Sequence, residues 1–127
     1  NKLKLQTLSG MHDILPDDQI YFKRIQKSVE NTTNYYSFQK IEVPVLEQID
    51  VFSKGAGSTS DIVEKEMYSF KTKGGDVIAL RPEFTPGIVR SYIEHGMYNL
   101  PQPVKFWAMG PCFRHDRPQK GRYRQFF

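Results

Sequence analysis

The stretch FRHDRPQKGRYRQFF, Phe113 to Phe127, decides how this chain is read. It gathers Arg114, Arg117, Lys120, Arg122 and Arg124 with a single acid, Asp116, and sets Phe113, Tyr123, Phe126 and Phe127 around them. The full 127-residue chain holds 18 Lys and Arg against 14 Asp and Glu, a net charge of +4. Residues 1–113 hold 13 of each and are neutral, so the whole excess sits at one end. A local basic patch on a neutral body points to an anionic partner such as phosphate or nucleic acid.

The pattern within the stretch sharpens that. PVKFWAMGPCFR reads as a strand interrupted near Gly110-Pro111, and RYRQFF as its partner across a loop of Pro118, Gln119, Lys120 and Gly121. A two-residue period puts Arg122, Arg124 and Phe126 on one face, and Tyr123, Gln125 and Phe127 on the other. Guanidinium forks take phosphate oxygens bidentately, and an aromatic plane stacks a base for about 1–3 kcal/mol. Arg114 arrives across the hairpin. Two readings stand on these residues alone: a nucleotide cradle, or a solvated charged hairpin with one ring in the core.

Outward from the hairpin, the rest reads as mixed helix and strand. Pro16 and Asp17 open a helix whose Phe22, Ile25, Val29, Thr32 and Tyr36 recur on one face. KIEVPVLE, Lys40 to Glu47, alternates Ile41, Val43 and Val45 as a half-buried strand. Its Pro44 cannot donate to a ladder, so that point is an edge, a bulge or a contact surface. KGAGSTSD, Lys54 to Asp61, reads as a mobile loop. Met67–Lys71 and Val77–Arg81 form a hairpin about Gly74-Gly75. In TPGIVRSYIEHGM, Thr85 caps a second helix, Pro86 suits its first position, Gly96 its end, and Ile88, Val89, Tyr92 and Ile93 its apolar face. Hairpins without alternating β-α-β units predict an α+β fold, an antiparallel sheet flanked by helices. The unpartnered last strand, with Phe126 and Phe127 at its edge, suggests the front part of a longer protein.

Other chemistry finds little footing. No apolar run approaches the roughly 20 residues a bilayer requires, and Asn1 to Gly10 lacks a signal-peptide core. One cysteine, Cys112, forms no internal disulfide and suits a reducing compartment, which makes a cytoplasmic protein the expectation. His12, His95 and His115 have no metal-ligand spacing with one another or with Cys112. GAGSTS lacks the Gly-Lys-Ser/Thr ending of a phosphate loop. RPEFTP, Arg81 to Pro86, is the second candidate site. Glu83 could hold an ammonium group with Thr85 beside it, or the two could simply favour a helix N-terminus.

LRPEFTPGIVRSYIEHGM and GPCFRHDRPQKGRYRQF, with GMHDILPDD and DIVEKEMYSF, resemble the catalytic domain of histidyl-tRNA synthetase, a class II aminoacyl-tRNA synthetase. The likeness runs over essentially all of residues 1–127, in that family's order. It implies that KIEVPVLE is motif 1, with Pro44 at a homodimer interface, and that the final hairpin is motif 2, which holds ATP. Arg114 would grip the α-phosphate and the histidine carboxylate as the catalytic residue. Arg122 would lie near the distal phosphates, Asp116 at the adenine contact where the family has Glu, and Phe126 on the adenine ring. Glu83, Phe84 and Thr85 would bind L-histidine. Arg117, Gln119 and Lys120 would reach the acceptor end of tRNA(His). Magnesium would be held through phosphates.

The resemblance implies ATP-dependent formation of histidyl-adenylate, then transfer to tRNA. The histidine-specific segment, motif 3 and the anticodon-binding domain of that family are expected to lie outside these residues. Two other readings compete: the synthetase-like regulatory subunit of ATP phosphoribosyltransferase, and a non-catalytic RNA-binding module. A regulator has no use for the basic RPQKGRYRQF loop. An RNA module would bind with a steep salt dependence and ignore histidine and ATP. The 127-residue chain by itself is therefore expected not to aminoacylate tRNA. A charging assay that shows steady turnover contradicts this.

Overall fold

A computed structural model describes residues 4–55 and 66–127. Pro16–Asp18 makes one tight turn and leads into α1 (Gln19–Tyr35). Proline suits this place because its fixed φ fits a first turn whose N–H has no partner to lose. The apolar stripe read from the sequence is present, yet α1 buries none of its residues. Its Phe22 ring meets Phe127 edge-on at 5.8 Å.

Lys40 to Glu47 is not one strand. β1 (Gln39–Lys40) pairs with β5 (Phe106–Trp107), and the two run parallel. The chain leaves the first ladder after Ile41, whose N–H still donates to Trp107, and enters a different sheet at Val45, whose carbonyl accepts from Arg81, just before β2 (Leu46–Gln48). Pro44 stands in that crossing between sheets, where its missing N–H costs no ladder bond. α2 (Ile49–Gly55) follows at once, a helix that the sequence reading missed. Lys54 and Gly55, the first two residues of the expected loop, belong to this helix instead, and the rest of that loop, 56–61, lies outside the described residues.

The expected hairpin is there, with β3 (Ser69–Lys71) and β4 (Val77–Leu80) antiparallel about Gly74-Gly75. Thr72 closes the turn, since its amide and hydroxyl both bond Asp76. β4 is central in the order β2-β4-β3, with Ala79 opposite both Glu47 and Ser69. α2 packs on β2 and β4, and α3 (Thr85–Glu94) packs on α2. Phe52 (2% exposed), Met67 and Ala79 form the buried apolar centre, with Ile49 against it.

α3 departs from its expected cap and face. Thr85 is its first helical residue, Phe84 holds the cap position, and no side chain caps the end. The buried residues are Pro86, Gly87 and Ser91, while Val89 and Ile93 (62% exposed) face outward. Small side chains let this helix lie close: a Cβ on Gly87 would stand 3.2 Å from Val43 Cγ2.

At the end of β4 sits Arg81, 5% exposed. Its Nε donates to the Pro111 carbonyl at 2.8 Å and its Nη1 to the Val43 carbonyl at 3.0 Å. Its guanidinium lies 4.3 Å from the centre of the Phe84 ring. The backbone joins in: Arg81 N–H donates to Val45, and Phe113 N–H donates to Arg81. A buried charge is costly unless its donors are met, and here carbonyls and a ring face meet them. Gly110 makes room, since a Cβ there would come within 2.7 Å of Arg81 Nη2.

Arg81→Met leaves the Val43 and Pro111 carbonyls without their donor, at about 1–3 kcal/mol each. Denaturant unfolding followed by circular dichroism should register that loss, and Gly110→Ala should destabilise in the same direction. Val89→Ala on the exposed face should change stability by less than about 0.5 kcal/mol.

Candidate functional site

β6 (Cys112–Phe113) and β7 (Gln125–Phe126) form the last hairpin, with Cys112 opposite Phe126 and Phe113 opposite Gln125. Arg114 N–H donates to Arg124 at 2.9 Å, which extends the same register by one pair. The next tie is a bridge between Gln119 and Arg122. Between these two ties the arms are unequal: residues 115–118 on one arm face Tyr123 alone on the other. The shorter arm also bends at Arg124, so a two-residue period does not run unbroken from Arg122 to Phe127.

That bend corrects the face assignment. Arg122 and Phe126 do border one cleft, but Tyr123 and Phe127 border it with them. Arg124 turns away, and its Nε donates to the Asp116 carbonyl at 3.0 Å. The cleft measures about 630 Å3, and Glu66, Arg114, Asp116 and Arg117 lie along its other walls. A larger groove of about 950 Å3 opens between β2, α2 and α3. Pro44, Leu46, Val89 and Ile93 make it mostly apolar, and it has no comparable gathering of cations. The smaller cleft is the candidate site because its charges and rings converge.

Arg114 is its centre. The guanidinium carbon stands 5.9 Å from the centre of the Phe126 ring, within cation–π reach. Its Nε donates to the Pro82 carbonyl at 3.2 Å, which aims the fork from the start of the RPEFT segment. Arg122 Nη1 lies 3.8 Å from Asp116 Oδ2, both exposed enough for solvent to weaken the pair. Asp116 Oδ1 accepts from the Arg117 N–H at 2.7 Å, a local turn contact. Gln119 and Lys120 are exposed at the hairpin end.

Glu83, Phe84 and Thr85 are not among the residues bordering this cleft. Glu83 and Phe84 are half-buried and Thr85 is exposed, and the segment meets the hairpin through Pro82 and Arg114. Sequence reading missed Arg81, whose anchoring role only tertiary contacts reveal. It also missed Glu66, which precedes β3 and whose carbonyl accepts from His115 N–H.

Cys112 lies behind the hairpin, 4% exposed. Burial pushes its thiol above the ordinary range, while the Arg81 and Arg114 charges and a contact from Arg81 work against that rise. No group of three or more His, Cys, Asp or Glu side chains is placed to hold a metal ion among the described residues. No helix among them is long and apolar enough to cross a membrane.

The same fold occurs in solved aminoacyl-tRNA synthetases. Apo S. aureus histidyl-tRNA synthetase matches with a TM-score of 0.79 at 36% identity, over 97% of this chain and 31% of that one. A Bacillus halodurans protein described as ATP phosphoribosyltransferase regulatory subunit/histidyl-tRNA synthetase matches equally in fold (0.79) at 21% identity, over 99% and 31%. A Nostoc histidyl-tRNA synthetase matches at 0.74 and 23% identity, over 97% and 27%. The chain thus spans under a third of the length of each. A family profile described as Histidyl-tRNA synthetase matches residues 10–127, and the chain belongs to that family.

A buried, protonated thiol is a poor nucleophile. Iodoacetamide at pH 8 should modify Cys112 in the folded chain about ten-fold or more slowly than in the chain unfolded in urea. Equal rates contradict the burial described.

Proposed function

We propose that this chain carries the ATP-gripping and histidine-gripping part of a histidine–tRNA ligase, and that within the complete enzyme it activates L-histidine as histidyl-adenylate. The observation that carries this reading is Arg114 set over Phe126 in one cleft. A phenyl plane stacks adenine, and a guanidinium beside it meets the phosphate that follows the ribose.

In this reading a histidine carboxylate oxygen attacks the α-phosphorus of ATP, and the bond to the departing pyrophosphate breaks. Arg114 faces the negative charge that grows on the α-phosphate oxygens, a preorganised donor where charge develops. Its bond to Pro82 fixes the fork before substrate arrives, so little reorganisation accompanies the reaction. Arg122 takes the outer phosphates, and Asp116 the adenine edge. Glu83, Phe84 and Thr85, one residue beyond the Arg114 contact, bind the amino acid. A hydroxyl of the terminal ribose of tRNA(His), which Arg117, Gln119 and Lys120 approach from the hairpin end, then attacks the histidyl carbonyl carbon, and the bond to the departing AMP breaks.

Magnesium would be held through the phosphates and would supply neutralisation of their charge, and Glu66 is the carboxylate along the cleft that has no other role in this reading. The apolar groove bordered by Pro44, Leu46, Val89 and Ile93 supports a homodimer in the complete enzyme. A cytoplasmic setting suits the unpaired thiol of Cys112. The retained basic loop RPQKGRYRQF favours tRNA charging over the regulatory role named for the Bacillus halodurans protein.

The test is a chimera in which this chain replaces the matching segment of the S. aureus enzyme. Histidine-dependent ATP–pyrophosphate exchange is the readout. Arg114→Ala should lower the rate about 10²–10³-fold. Phe126→Ala should weaken ATP by about 1–3 kcal/mol with histidine binding unchanged. Exchange that ignores both substitutions removes the reading.

A further inference from the structure

Gly10 lies far from the hairpin in sequence and against it in space. Its carbonyl accepts from the Arg124 N–H at 2.8 Å and from the Gln125 N–H at 3.4 Å. Its φ is +80°, a conformation that side chains disfavour. The contact is also too close for one: a Cβ on Gly10 would stand 2.8 Å from Arg124 Cγ and 3.0 Å from Cδ. Two residues on, the His12 ring meets the Tyr123 ring edge-on at 4.7 Å. Met11 N–H donates to Leu8, which rounds this segment into a turn.

Residues 10–12 thus lie along the arm of the hairpin that carries Tyr123 to Gln125. This is where the ladder fails, because residues 115–118 have only Tyr123 opposite them. Arg124 spans the gap. Its amide is held by Gly10, its carbonyl accepts from Arg114, and its Nε donates to Asp116. One of the five cations of this stretch is therefore spent on joining a terminal segment, both arms and the long side of the loop. Asp116, Arg122 and Tyr123, which border the cleft, are positioned through it.

We propose that the Gly10–His12 turn is a clasp that sets the shape of the hairpin, with Arg124 as a positioning residue for the nucleotide. The clasp stands on the contacts above, and its effect on ATP rests on the function proposed for the cleft. Release of the clasp frees the long arm and blurs the spacing of Arg122 and Asp116 relative to Arg114 and Phe126.

The test is limited trypsinolysis of the 127-residue chain, with and without ATP and magnesium. Cleavage after Lys120 and Arg122 reports the hairpin, and cleavage after Lys71 and Lys73 reports a turn the clasp does not touch. Gly10→Ala should speed the first pair about ten-fold and leave the second unchanged, because proteolysis follows the open population. Arg124→Lys keeps the charge and loses the Nε–H, and should do the same to a smaller extent without straining residue 10. His12→Phe keeps the ring and should behave as wild type. The ATP concentration that half-protects the hairpin should rise about ten-fold in both loosened variants. Hairpin cleavage at the wild-type rate in both overturns the clasp. Faster cleavage with an unchanged ATP midpoint overturns the positioning role. A wild-type hairpin that ATP never protects counts against the nucleotide reading, while the ATP-free rates still decide the clasp.

Discussion

The guanidinium of Arg81 is the point on which the rest of this structure depends. It is buried, and the partners described for it are the Val43 and Pro111 carbonyls and the Phe84 ring. These belong to the crossing between two sheets, the entry to the last hairpin and the start of α3. Backbone bonds through Val45 and Phe113 tie the first two of these to Arg81 again. The apolar centre is small, so a polar anchor with fixed directions does what a large core would otherwise do. Direction matters here, because the hairpin must leave β4 at an angle that brings Arg114 back to Pro82.

A second ion-pair system braces the opposite side. Arg90 on α3 reaches Glu47 on β2, which is nearly buried, and pairs with Glu94 one turn along its own helix. Burial works against the Arg90 charge, but the bonds and charges of Glu47 and Glu94 outweigh it and hold the guanidinium above its ordinary range. α3 is thereby fixed at both ends: Phe84 under Arg81 at its start, and Arg90 on β2 further along. The helix carries Thr85 at its first position and Glu83 just before it, so both systems locate the RPEFT segment relative to the hairpin.

The elements with strong local signals were legible in the sequence. Pro16 marked the start of α1, Gly74-Gly75 the β3–β4 turn, and Gly110-Pro111 the break between β5 and β6. The basic hairpin was legible as a unit, and Arg114 and Phe126 do share a cleft. What the sequence did not disclose is tertiary. The period of two failed because the chain bends at Arg124, where residues 115–118 of the other arm oppose Tyr123 alone, and no composition signal marks such a slip. The α3 face failed because Pro86, Gly87 and Ser91 are buried for their small size, which an apolar pattern overlooks. Arg81 received no role of its own, since burial of an arginine depends on carbonyls contributed from distant residues.

The unequal arms of the hairpin also bear on how such a chain can vary over time. Contacts that aim Arg114 and Phe126 all lie on the near side of the slip, at Pro82 and in the Cys112–Phe126 ladder. Residues 115–118 bulge on the far side, tied there by the Arg124–Asp116 bond and by the His115 N–H bond to Glu66. A change of length or composition in that bulge leaves the contacts of Arg114 and Phe126 in place. A chain built this way separates what it must keep still from what it is free to retune.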